Sequence, residues 1–197
     1  MQHGFTKRIF TARLFLTDLG FLLWHLPGII SVFTSQQKPK QLFEKIVMVT
    51  DAVNGCIYCS WLDAKLAMKS GISEAEIKNM LQLQFHTDAA EYELHALLFA
   101  QHYAETNRQP DPDMTQKLVD DYGETTARDI LLAIRAVTFG NLYFNTWAAI
   151  ISRFKGQPAE NSNVIFELVY FLLNFVIILP FIILRKLDRK AIRLEQL

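Results

Sequence analysis

Apolar side chains recur at helical spacing along most of the chain, and near the C-terminus that spacing gives way to near-continuous hydrophobicity. After the polar linker Ser35–Lys40, Leu42, Phe43, Ile46, Val47, Val49 and Val53 mark one face of a first core helix. Asn54-Gly55 breaks that helix, and a second begins at the cysteines, runs through Trp61, Leu62, Leu66 and Ala67, and stops at Gly71. Ser73 followed three residues later by Glu76 has the capping-box pattern and starts a short third helix through Ile77 and Met80. Thr87-Asp88 can cap a fourth, from Ala89 to about Glu105. The proline-containing loop Asn107–Asp113 cannot stay helical. Beyond it the pattern predicts a short helix, Met114–Asp121, a break near Gly123, and a long helix from about Thr126 to Phe154.

Both ends differ from this middle. Residues 1–35 pass from Lys7, Arg8 and Arg13 into an apolar run interrupted by Asp18, His25 and Pro27, which makes a poor spanning helix and lacks a signal-peptide cleavage site. Two readings stand: an amphipathic helix at a membrane interface with Trp24 at headgroup depth, or a helix docked on the apolar surface of the domain itself. The turn-rich run Lys155–Asn163 is the clearest boundary in the chain. Past it, Val164–Leu184 holds one charge, Glu167, and at about 1.5 Å rise per residue spans roughly 32 Å, enough for a bilayer core. Arg185, Lys186, Arg189, Lys190 and Arg193 follow and hold that end on the cytoplasmic side. The expected organisation is an N-terminal segment 1–35, a helical domain 36–155 and a transmembrane helix 164–187, with the protein associated with membrane lipid; a hydrophobic helix buried in an oligomer is the other reading of the tail.

Strand signals are scarce, so the fold class is all-α. A hydrophobic fraction of 51% in 197 residues supports one substantial core. Twenty basic and twenty acidic residues cancel, and no basic stripe with interleaved aromatics occurs, which argues against a nucleic-acid partner.

The chain has two cysteines, Cys56 and Cys59, three residues apart at a helix start. Two are too few for a disulfide framework, and a structural zinc site would need a second pair at ligand spacing. On one helix face, residues at i and i+3 lie about 5–6 Å apart at Cβ, closable to a disulfide by a small distortion. A helix N-terminus also stabilises a thiolate. The spacing therefore suits a reversible redox pair, against the blander reading of two thiols packed in a core. By helical phase Glu44 shares the edge of the apolar stripe with Met48 and Asp51, a solvated position. Asp63 in an early helical turn is favoured by the helix dipole. Asn141 and Asn145, at i and i+4, suit interhelical hydrogen bonds, Tyr58 a pocket wall, and His86, His95 and His102 surface or helix-packing positions.

Glu44, eleven residues later Asn54-Gly55-Cys56-Ile57-Tyr58-Cys59, and then a helix ending at Gly71-Ile72-Ser73 form a pattern that resembles the AhpD-like alkylhydroperoxidases of the carboxymuconolactone decarboxylase superfamily. The likeness covers roughly residues 36–154. It implies an all-helical domain, usually assembled into homo-oligomers, whose CxxC reduces peroxides or exchanges disulfides with a protein dithiol as electron donor and without a cofactor; a membrane-complex subunit is the other expected assembly. By position, Cys59 corresponds to the attacking cysteine, Cys56 to the resolving one and Glu44 to a proton-relay glutamate. The remaining relay member is a histidine, and its position is Asp63 here. A histidinium favours a neighbouring thiolate, whereas an ionised aspartate disfavours it. Two carboxyls that share one proton remove the conflict, and Glu44 with Asp63 is the expected pair.

The leading reading is a membrane-associated thiol–disulfide oxidoreductase or peroxidase. The alternative is a non-catalytic interaction module or complex subunit on the same fold, favoured by the missing histidine. A decarboxylase is weaker, because such reactions do not call for a CxxC.

Overall fold

The computed structural model describes residues 5–85, 89–160 and 162–187, and among them there are eight α-helices and no strand. In chain order they are α1 (Ala12–Trp24), α2 (Leu26–Thr34), α3 (Lys40–Asn54), α4 (Ile57–Lys69), α5 (Glu74–Leu81), α6 (Glu91–Glu105), α7 (Pro112–Phe154) and α8 (Val164–Leu187). The Ser73 capping box forms in full, with the Ser73 side chain on the Glu76 N–H and the Glu76 side chain on the Ser73 N–H. The Thr87-Asp88 cap lies outside the described residues, as do His86 and the basic residues beyond Leu187.

Helix α3 is the centre of the domain and packs against α4, α5, α6 and α7. Encirclement buries more than its apolar stripe: Lys45, Thr50, Asp51 and Asn54 are buried as well. Each needs a partner, because an unpaired buried polar group costs on the order of 1–3 kcal/mol. Lys45 Nζ meets Glu93 at 2.7 Å and Glu76 at 3.3 Å, and Thr50 Oγ1 donates to the Ile46 carbonyl at 2.8 Å. Asp51 and Asn54 turn toward α7.

The two helices expected around Gly123 meet without a loop. Gly123 takes φ 75° and ψ 158°, so the chain kinks there and resumes its helix at once, while Gly140 leaves α7 unbroken. The N-terminal segment docks on the domain through Phe10 and Val32, and Arg108 pairs with Asp18 at 2.5 Å. It also leaves Leu16, Leu23, Trp24, Ile30 and Phe33 exposed, so features of both sequence readings coexist.

A second apolar cluster joins Phe10, the C-terminal part of α7 and the inner face of α8, including Trp147, Tyr170 and Ile178. The opposite face of α8 exposes Val164, Ile165, Leu168, Leu172 and Leu173. The straight crossing expected of Val164–Leu184 is corrected here: no single helix among the described residues is long and apolar enough to cross a membrane. Instead α8 bends by 78° between its Val164–Phe175 and Ile178–Lys186 halves, and α1 meets α2 at 69°. By length and composition each bent pair passes the test for a span together. The bend in α8 falls just before Pro180, which has no N–H to give and whose ring clashes with the carbonyl four residues earlier.

Candidate functional site

The turn between α3 and α4 is built by Gly55, whose φ of 63° and ψ of 33° place it in the left-handed region. Its N–H reaches back to the Ala52 and Asp51 carbonyls, and the Cys56 N–H follows to Asp51 O at 3.2 Å. An added Cβ at Gly55 would meet only the Lys7 stem, at 3.8 Å, so the cost of a side chain here is conformational. Gly55→Ala is expected to destabilise the protein by about 1 kcal/mol, read as a lower urea midpoint with an unchanged slope.

Cys56 stands outside the helix. It is the N-cap of α4, with φ −85° and ψ 94°, and its Sγ accepts from the Cys59 N–H at 3.3 Å. That extended backbone, rather than a distorted helical turn, brings the two Cα atoms to 5.3 Å and lets a disulfide join Cys56 to Cys59. Cys56 is fully buried, and Cys59, in the first turn of α4, is 7% exposed.

Asp63 lies one turn after Cys59 and is partly buried. Burial raises its pKa to about 6; a hydrogen bond with Asp51 opposes the rise and the Glu44 charge adds to it. Asp51 is fully buried, and its carboxyl is pushed well above the usual range by burial first, then by the charge of Asp63 and the hydrogen bond with it, against the hydrogen bond from Asn141. The carboxyl that Asp63 touches is therefore Asp51. Glu44 acts on Asp63 through its charge, while its own Oε1 takes the Ser70 hydroxyl at 2.5 Å and lies 3.8 Å from Lys40 Nζ. The Glu44 side chain is 15% exposed, more enclosed than its helical phase suggests, because the α4–α5 connection with Ser70 closes over it. Its Oε2 is buried without a hydrogen-bond partner.

Helix α7 supplies the amides that tie this cluster together. Asn141 Nδ2 donates to Asp51 Oδ1 at 2.6 Å, Asn54 Nδ2 donates to Asn141 Oδ1 at 2.9 Å, and Asn145 Nδ2 donates to the Asn54 carbonyl at 2.9 Å. These are the interhelical bonds that the i, i+4 asparagines suit. Helical phase missed the burial of Asp51 and its bonds to α7; the available signal was a carboxylate set inside the apolar run of a central helix, where a charge needs a reason.

Other candidates are engaged elsewhere. His95 Nδ1 lies 2.6 Å from Asp121, and His102 Nε2 accepts from the Asp111 N–H at 3.0 Å. Tyr58 stacks on Phe144 with ring centroids 5.6 Å apart, and the Arg185 guanidinium lies 5.1 Å from its ring centre. No cluster of three or more His, Cys, Asp or Glu suited to a metal ion occurs among the described residues. A cavity of about 1210 Å³ between the N-terminal segment, the α6–α7 loop and residues 158–160 is lined by Lys7, Arg8, Leu14, Arg108 and Leu142 among others, and by neither cysteine nor any of the three carboxyls. It backs onto the turn from outside, where the Lys7 stem covers Gly55 and Arg8 reaches Asn54 Oδ1 at 3.5 Å. Compared with known proteins, the chain matches no family model, no curated protein and no solved structure.

Proposed function

We propose that this chain is a membrane-associated thiol–disulfide oxidoreductase or peroxidase of AhpD-like type. The observation that carries the reading is a closed Cys56–Cys59 pair at a helix N-terminus, with a carboxyl of raised pKa one turn away. In the reduced protein, Cys59 passes its proton to Asp63 and attacks the terminal oxygen of a hydroperoxide. The O–O bond breaks, the alkoxide takes the proton and leaves as an alcohol, and Cys59 becomes a sulfenic acid. The Cys56 thiol then attacks that sulfur, forming the disulfide and releasing water. An external protein dithiol reduces the disulfide through a mixed disulfide and is itself oxidised. With a disulfide as substrate, the leaving group of the first step is a thiolate.

The apolar faces of α1, α2 and α8 support attachment to lipid, either at the surface or through the bent helix pairs. A homo-oligomer or a membrane-complex subunit is compatible with the same faces. The second reading, a non-catalytic interaction module, draws on the burial of both cysteines and on Asp63 standing where the resemblance calls for histidine.

Free-thiol titration of the reduced, desalted protein tests the redox reading. Two thiols per chain are expected to disappear after one equivalent of hydroperoxide or of a small disulfide. Retention of both thiols favours the interaction module.

A further inference from the structure

We propose that Asp51 is a positioning residue that holds a proton shared with Asp63, so that Asp63 faces the cysteines as the ionised member of a carboxyl pair. The inference rests on the thiol reading for its use, though not for its geometry.

The amides of α7 decide which oxygen carries the proton. Asn145 fixes the Asn54 carbonyl, Asn54 donates to Asn141 Oδ1, and the Asn141 NH₂ is thereby aimed at Asp51 Oδ1. Oδ1 is thus an acceptor. Oδ2 is buried and finds no hydrogen-bond donor in the protein, and the Asp51 and Asp63 side chains are hydrogen-bonding neighbours. A proton on Oδ2, donated to Asp63, satisfies both groups. A carboxylate there would leave one oxygen buried and unpaired beside a second negative charge.

The surrounding charges point the same way. On its own helix, Asp51 has Glu44, which acts on Asp63, and Lys45, which is taken by Glu93 and Glu76. Helix α4 presents Asp63, and α7 presents the neutral Asn141 and Asn145. Arg8, from the N-terminal segment, reaches Asn54 and gives its other bonds to the Ala104 and Glu105 carbonyls. No cation is among the groups acting on Asp51.

In the reduced enzyme, the Cys59 proton moves to Asp63, so the pair then holds two protons beside a thiolate and the total charge is unchanged. Thiolate and ionised Asp63 never face each other. The proton returns to the leaving alkoxide or thiolate when the O–O or S–S bond breaks.

Infrared spectroscopy of the oxidised full-length chain at pH 7.5 tests the proton, and the rate of the reduced chain with hydroperoxide between pH 6 and pH 9.5 tests its use. Wild type is expected to show one protonated-carboxyl band, absent in Asp51→Asn and retained in Asp63→Asn. Asp51→Asn, whose amide can donate to Asp63 at every pH, is expected to give a flatter rate profile between pH 6 and pH 9.5 than wild type. A carboxyl band that survives Asp51→Asn, or a rate profile unchanged in that variant, overturns the proposal. If the band behaves as expected while wild type consumes no peroxide or disulfide, the thiol reading fails and the shared proton stands.

Discussion

Cys59→Ser is expected to lower the rate of peroxide or disulfide reduction by at least about a thousandfold, because it removes the attacking sulfur while the carboxyls around it remain. Cys56→Ser is expected to differ in kind. Serine is a good N-cap and can accept the Cys59 N–H as the Cys56 sulfur does, so α4 keeps its first turn. The first chemical step then proceeds once and stops, leaving Cys59 as a sulfenic acid or a mixed disulfide, and turnover is lost. Mass spectrometry after a dimedone trap separates the two variants: an adduct on Cys59 in Cys56→Ser, and none on Cys56 in Cys59→Ser. The reverse labelling would assign the attack to Cys56. The asymmetry follows from position: Cys56 is the fully buried N-cap of α4, and Cys59 stands in its first turn with 7% exposure.

Asp63→Asn is expected to stabilise the oxidised protein at pH 8 by about 3 kcal/mol and to leave it nearly unchanged near pH 3.5. The sign follows from the raised carboxyl. The folded protein holds the Asp63 proton up to about pH 6, whereas the unfolded chain releases it near the ordinary aspartate value of 3.8. The stabilising effect of that retained proton is full below the unfolded value and is lost as pH rises toward and past 6. Asparagine has no proton to lose, so the variant escapes the penalty. Urea unfolding of both proteins at the two pH values reads the difference, and equal stabilities at pH 8 would show that Asp63 is not held in a desolvated pair. The same variant lacks the base for Cys59, so a more stable protein is expected to be the slower one. That opposition separates a functional carboxyl from an ordinary surface aspartate.

Local signals wrote much of the helical map. The capping box at Ser73, the Asn54-Gly55 break and the stop at Gly71 are short-range chemistry: each depends on a backbone angle or a cap that a few neighbouring residues supply. The loop before Pro112 was legible for the same reason. Helix phase was less informative for α3. A helix packed on one side has a dry face and a wet face, but α3 is surrounded by α4, α5, α6 and α7, so positions that read as edge became core. Asp51 is the clearest case: a solvated position by phase, it is fully buried and bonded across to α7.

By itself, the sequence determined that the protein is helical, that α3 ends at a glycine turn, and that two cysteines stand where the next helix begins. All of these are properties of neighbours along the chain. Only the tertiary structure decided which groups surround Asp63 and Asp51. The partner of Asp63 comes from the preceding helix twelve residues away, and the amides that orient that partner come from α7, about ninety residues on. It also replaced one straight apolar crossing by two bent helix pairs, because a proline interrupts a helix while the phase of its apolar residues runs on unbroken. Burial and charge set the protonation of Asp51 and Asp63, and both depend on what lies within a few ångströms in space, whatever the separation in sequence.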